Sequence, residues 1–269
     1  MSDLRFEFGR NWKSFSKSLD EERIKSSVRN LQRLLKETDL KDKTMLDIGS
    51  GSGLSSVAAV KLGAKLVSFD YDVNSVEITR QNLIEYCQDG VWDVQQGSAI
   101  DPTYMNRLEQ FDFVYSWGVL HHTGAMWQGI ELASQRVKAG GKFALAIYND
   151  QGGASRRWEL LKRTYIQLPQ FLRFFLILFV ATYFELRSSL IRLVRLQNPL
   201  PFKDWAERKT DRGMSVWHDL IDWVGGYPFE VAKPEEIFEF LRERGYQLEH
   251  IKTCAGGHGC NEFLFIKKK

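Results

Sequence analysis

Leu46–Gly53 reads LDIGSGSG, and this stretch decides the fold. An apolar strand end carries an acid at Asp47, and glycines follow at alternate positions, Gly49, Gly51 and Gly53. Without a Cβ, such positions let backbone approach a ligand and accept dihedrals that other residues avoid. A helix beginning after Gly53 aims unpaired N–H groups and the positive end of its dipole at a polar or anionic group. The stretch therefore reads as a nucleotide-binding loop between a strand and a helix.

Its register separates two kinds of nucleotide. A dinucleotide fold requires G-x-G-x-x-G with a small third residue against the strand. Counting from Gly49 puts Leu54 at the third position and counting from Gly51 puts Ser56 there, so a dehydrogenase is disfavoured. The observed D-x-G-x-G-x-G resembles motif I of class I S-adenosylmethionine (SAM)-dependent methyltransferases. The likeness extends over roughly residues 40–150 and a C-terminal helix and strand pair, in the manner of the quinone-methylase-like branch. It implies SAM as cofactor, held by Asp47, Gly49, Gly51 and Gly53.

The flanking pattern supports this reading. Lys65–Asp70 (KLVSFD) is a β-rich run ending in an acid 23 residues after Asp47. Trp92–Ser98, Phe111–Ser116 and Lys142–Ile147 read as further strands, with helical patterns at Leu54–Leu62, Val73–Cys87 and Met126–Val137. Strands alternating with helices predict a doubly wound parallel sheet that binds ligands beyond the strands' carboxyl ends. Tyr246–Thr253 and Asn261–Lys267 read as the antiparallel terminal strands of a seven-stranded, Rossmann-like sheet after a helix at Pro234–Gly245. By resemblance, Asp70 accepts the ribose hydroxyls, Tyr71 packs on adenine, Ser98 and Ala99 lie near adenine, and Trp117 lines the cofactor. Relatives often carry an acid where Ser98 stands.

The expected organisation is an N-terminal helical lid over residues 1–40, a SAM-binding core at 41–150, a helical cap at 151–233, and core completion at 234–269. Phe8 and Trp12 are lid aromatics in this scheme, or else ordinary packing of an N-terminal helix. Three cysteines make no disulfide framework, and the N-terminus lacks a basic-then-apolar signal pattern. Both point to the cytoplasm.

Charge is unevenly spread. Gln151–Gly213 holds twelve Lys/Arg against five Asp/Glu, a balance of +7 in a chain whose net charge is +3, so the remainder carries −4. Within it Phe174–Phe184 (FFLILFVATYF) is uncharged, and its eleven residues fall short of the about 20 that span a bilayer as a helix. Three readings of 171–197 stand: a cap that shapes the substrate pocket, a homodimer contact, and a basic amphipathic surface on a membrane or beneath a lipid-linked substrate. Nucleic acid is disfavoured, because the aromatics are interleaved with aliphatics rather than displayed among the basic residues.

The reactive methyl group comes with the cofactor, so the protein's task is alignment, water exclusion and removal of the acceptor's proton. Candidate bases must sit at strand tips. His121 and His122 follow the fourth strand, and His122 aligns with the histidine that recurs in relatives. Tyr148 closes the fifth strand on the same rim as a substrate-binding candidate. Gly213–Glu230 adds Trp223 and Tyr227 as pocket walls and His218 as a further base, four residues from Asp222 on a helical face. His258 lies in the glycine-rich connection Cys254–Asn261 and reaches toward substrate. Cys254, His258 and Cys260 supply only three ligands at a spacing foreign to ordinary zinc modules, so no metal is expected. No N/D-P-P-Y/F tetrapeptide follows the fourth strand. A small-molecule acceptor remains, with oxygen preferred because histidine bases abound; the alternatives are a lipid-linked or quinone-type acceptor at a membrane surface and a non-catalytic SAM-binding subunit.

Overall fold

The computed structural model describes residues 6, 19–198, 200, 216–257 and 259–269, the side chains of 216–219 and 222 excepted. These residues form two units, Met1–Phe6 with Arg156–Pro228, and Glu7–Ser155 with Phe229–Lys269.

The larger unit is built on seven strands in the order β3-β2-β1-β4-β5-β7-β6. They are β1 (Thr44–Ile48), β2 (Lys65–Asp70), β3 (Trp92–Gln96), β4 (Phe111–Trp117), β5 (Val137–Tyr148), β6 (Tyr246–Lys252) and β7 (Cys260–Lys267). β1 through β5 run parallel, whereas β7 pairs antiparallel with both β5 and β6. The expected Rossmann-like sheet and antiparallel terminal pair are therefore present. Strand β5 begins five residues before Lys142, because a bulge between Phe111 and Phe113 lets Val137 rejoin the ladder ahead of Gly140–Gly141.

Residue parity assigns the two faces of the sheet. Leu46, Ile48, Val114, Phe143 and Leu145 point to one face, beneath α5 (Met126–Gln135) and α9 (Pro234–Glu243). Met45, Leu66, Phe113 and Ala144 point to the other, beneath α1 (Glu21–Leu35), α2 (Leu54–Lys61) and α3 (Val73–Tyr86). Helix α1 starts where Asp20 accepts the Arg23 amide at 2.9 Å, and it stops where Lys36 turns left-handed. Its Ile24, Leu31, Leu34 and Leu35 lie on one face and are buried. A single helical turn, α4 (Pro102–Met105), follows β3.

At the amino ends of the strands, Thr44, Asp112 and Lys138 converge. Burial works to raise the Asp112 carboxyl. The amide and hydroxyl of Thr44 and the Lys138 ammonium outweigh it and hold the group down at about 2.

The smaller unit is helical, with most of α6 (Gly153–Gln167), α7 (Gln170–Val194) and α8 (Val216–Gly225). Its core joins Tyr165, Ile166, Ile177, Val180 and Val224 with Phe6, Trp158 and Phe184. The indole of Trp158 stacks on Phe184 and meets Trp223 edge-on at 4.6 Å. Lys162 is buried here, donating to the Trp223 carbonyl with its ammonium 5.4 Å from that ring. The uncharged run Phe174–Phe184 is the middle of a helix of 25 residues, not an isolated segment of eleven. Charged neighbours masked that length in the sequence, since Arg173, Glu185 and Arg187 interrupt the hydropathy without interrupting the helix.

Candidate functional site

The order of strands reverses between β1 and β4, and the loops leaving their carboxyl ends diverge there to open a crevice. The crevice residues described next belong to the larger unit.

The loop after β1 is clamped from three directions. The amides of Gly49 and Ser50 both donate to the Phe69 carbonyl at the end of β2 (2.8 and 3.1 Å). Thr79 and Asn82, three residues apart on α3, reach down to the Ser50 hydroxyl (2.9 Å) and the Ser52 carbonyl (2.8 Å). Gly49 has φ +78°, and a Cβ there would lie 2.4 Å from Val119 in the loop after β4. At Gly53, φ is +74° and a Cβ would meet the Thr79 backbone at 2.8 Å. Glycine is required at both positions for conformation and for room. No side chain caps α2, so its first amides remain available to a ligand.

Asp47 and Asp70 have different tasks. Parity puts Asp47 on the same face as Met45, under α2, where it is 1% exposed. Its carboxylate accepts from the Ser56 hydroxyl at 2.5 Å, and that hydroxyl lies 3.0 Å from Ser68. Asp47 thus ties the first turn of α2 to the sheet and holds the glycine loop from behind. Burial pushes its carboxyl up to about 6; Ser56 pulls it down, and the neighbouring Asp70 charge adds to the rise.

Asp70 ends β2 on the open side. One oxygen accepts the Gly51 amide and the other the Asp72 amide, both at 2.9 Å. Burial pushes it to about 6 as well, against those two amides. The Tyr71 amide lowers it further, and the carboxylate keeps acceptor capacity for another donor. Tyr71 follows, 58% exposed, with Ser98 half-buried and Ala99 buried at the neighbouring turn after β3.

On the other side of the crevice, Trp117 closes β4. Its indole N–H donates to Glu262 at 3.2 Å, and the second oxygen of Glu262 accepts Arg33 at 3.0 Å. Glu262 on β7 therefore fixes the Trp117 ring to α1. The sequence carried a signal for it, an acid at an inward position of the apolar strand CNEFLFIK. Thr79 and Asn82 left a comparable trace as buried polar residues on one face of α3.

A 3-10 turn, Leu120–His122, then carries the two histidines. His121 is fully buried; its Nδ1 accepts the Tyr148 amide at 3.3 Å, which assigns the neutral ring to the Nε2–H tautomer. Its carbonyl accepts the Glu230 amide, and the Glu230 carboxylate in turn caps α5 through the Met126 amide. His122 is half-buried and lies edge-on to Tyr148 with centroids 5.4 Å apart, while Tyr148 also packs on Phe229. The structure brings His121, His122 and Tyr148 together at the tips of β4 and β5. Asn261 is buried there, donating to Asn149 and accepting the Cys254 amide, and so fastens the terminal hairpin.

Trp223 and Tyr227 belong to the smaller unit, where Tyr227 packs on its core and Trp223 meets Trp158 edge-on. The side chain of His218 and the whole of Phe8, Trp12 and His258 lie outside the described residues.

Three comparisons bear on this site. Residues 46–143 match the model of a family described as a methyltransferase domain. Over 75 residues the chain is 44% identical to the ribosomal protein L11 methyltransferase of Prochlorococcus marinus, covering 27% of this chain and 25% of that protein. The chain thus spans about a quarter of the length of the curated relatives it matches. Among solved structures, the magnesium protoporphyrin IX methyltransferase of Synechocystis, with bound SAH, superposes with a TM-score of 0.56 at 12% identity, covering 96% of this chain and 94% of that one. A putative methyltransferase from Bacillus halodurans gives 0.55 at 13% identity, covering 90% and 99%. At these identities the superpositions establish the fold.

Proposed function

We infer that this chain is a class I SAM-dependent methyltransferase that methylates a hydroxyl oxygen of a small-molecule acceptor, a reading supported by the methyltransferase-domain match and the shared fold. The residues of the crevice fit the cofactor SAM. The glycine loop presents Cβ-free backbone where a side chain would collide, and Asp70 offers acceptor positions at the tip of β2. Asp70 holds the ribose hydroxyls, Tyr71 and Ala99 border the adenine, and Trp117, steadied by Glu262, lines the side nearest β4. Bound there, SAM supplies an electrophilic methyl group whose transfer needs an in-line nucleophile.

The protein's contribution is to orient that nucleophile and take its proton. His122 is the base in this reading. The observation that carries it is the cluster of His122 and Tyr148 at adjacent strand tips, beside the glycine loop's partner Val119. His121 acts as a positioning residue, because its Nδ1 accepts the Tyr148 amide and its ring packs against both Tyr148 and His122. Tyr148 orients the acceptor.

The test pairs calorimetry with product detection. His122→Ala protein should bind SAM as the wild type does while losing turnover on an acceptor found by screening hydroxylated metabolites for the mass gain of one methylene. Undiminished turnover in that variant removes the base role. A product methylated on nitrogen or carbon removes the hydroxyl assignment.

A further inference from the structure

Helix α7 reverses the usual placement of apolar and polar side chains. Toward its own unit it turns Ile177 and Val180, together with Arg173, whose guanidinium is bound to the carbonyls of Ile166 and Leu168. Outward it shows Phe175, Phe179, Leu186 and Leu190, each more than 60% exposed and all on one stripe. The most apolar 18 residues have a mean hydropathy of 1.7, and only 11% of them are buried. Water-facing patches of this kind mark a surface with a partner.

We propose that α7 lies in the interfacial plane of a lipid bilayer bearing anionic headgroups, with this stripe among the acyl chains. Length and composition alone would let the helix span. Topology forbids it. A single crossing by α7 would leave β1–β5 and β6–β7 on opposite sides, yet β5 and β7 pair from Lys142↔Ile266 to Tyr148↔Cys260. A return crossing has no segment to use, because Arg195–Ser215 is densely charged and α8 has only 10 residues. The helix must approach the membrane from one side and stay there.

Charge selects lipid over a second copy of the chain. With Lys162 and Arg173 turned inward, the stretch Gln151–Gly213 still holds ten further Lys/Arg against five Asp/Glu, so this part of the chain is drawn to an anionic surface and repelled by the same face of a second copy. At 100° per residue, Arg187 lies about 90° from the centre of the apolar stripe along one border and Arg192 about 130° from it beyond the other, on the headgroup side. Glu185 shares the Arg192 side and leaves the rim net positive.

Sedimentation of the full chain with vesicles tests this. It should pellet with phosphatidylcholine vesicles containing phosphatidylglycerol, and at least about tenfold less with phosphatidylcholine alone or in high salt. The triple variant Phe175→Ser, Phe179→Ser, Leu186→Ser should lower binding about tenfold or more with an unchanged melting temperature, since the three are exposed. Ile84→Ser, at an exposed position of the larger unit, should change nothing. The proposal is overturned if the wild type stays in solution with anionic vesicles at low salt. It is equally overturned if the wild type is a dimer that the triple variant dissociates, or if bound protein resists alkaline carbonate extraction as a spanning helix does. None of these readouts depends on methyl transfer.

Discussion

The role proposed for Asp70 predicts a pH dependence of cofactor binding. Its folded-state pKa is about 6. If Asp70 holds the ribose as proposed, the hydroxyls donate to its ionised form and affinity follows the ionised fraction. That fraction is near complete at pH 7.5 and about one-tenth at pH 5, which predicts roughly tenfold weaker binding, about 1.4 kcal/mol. Asp70→Asn should do more. The asparagine amide can satisfy only one of the two amides now bound, leaving Gly51 or Asp72 N–H facing a donor, and it removes a charge-assisted acceptor. Together these are worth about 3 kcal/mol, or roughly a hundredfold in Kd. Calorimetry with 5′-methylthioadenosine measures this cleanly, because that ligand keeps the ribose and lacks the amino-acid end that titrates itself. Wild-type protein should bind it about tenfold more weakly at pH 5 than at pH 7.5, and the variant should bind weakly with little pH dependence. A flat wild-type profile, or a variant within threefold (about 0.6 kcal/mol) of wild type at pH 7.5, refutes the reasoning.

Further outcomes follow from the geometry. Gly49→Ala should abolish SAM binding through the collision with Val119, and Val119→Ala should restore part of it; Gly53→Ala meets backbone at Thr79 and should find no such rescue. His122→Ala should lower kcat about 10²- to 10⁴-fold in a methylation assay with SAM affinity retained. Glu262→Gln breaks the charge-assisted bonds to Arg33 and Trp117 and should cost about 1–2 kcal/mol in urea unfolding, with a shift in tryptophan fluorescence. Asp47 holds its proton more tightly folded (about 6) than unfolded (3.8), so it favours the native state below pH 3.8 and loses that contribution as pH rises through 6. Asp47→Asn should therefore flatten the pH 4–6 stability profile by up to about 3 kcal/mol. Asp112 acts with the opposite sign, contributing above pH 3.8 and losing its contribution as pH falls toward 2.

The fold was legible because period and punctuation agreed. Alternating helix and strand patterns, an acid at each of two strand tips and a glycine triplet leave little freedom of topology; β2, β3, β4, β6 and β7 fall within two residues of expectation, while β5 starts five residues early. The bulge in β5 was hidden, since Gly140–Gly141 reads as a turn and is one only in part. The separate tasks of Asp47 and Asp70 were hidden too. Both are acids at strand ends, and only parity, which turns Asp47 under α2, tells them apart. Glu262 and Arg33 escaped because their pairing joins positions 229 residues apart, beyond the reach of local patterns. The length of α7 was obscured by three charges that a helix tolerates and a hydropathy window penalises.

The antiparallel pairing of β5 with β7 carries a consequence for how the chain is made. Residues 44–148 contain five of the strands, but the seventh begins only at Cys260, after the helical unit has left the ribosome. Until then the β5 edge stands open, a row of unpaired amides and carbonyls beside Phe143 and Leu145. Strand β7, made after the helical unit, closes it and brings Glu262 to Trp117, so the crevice acquires its β4 wall only once that strand is in place.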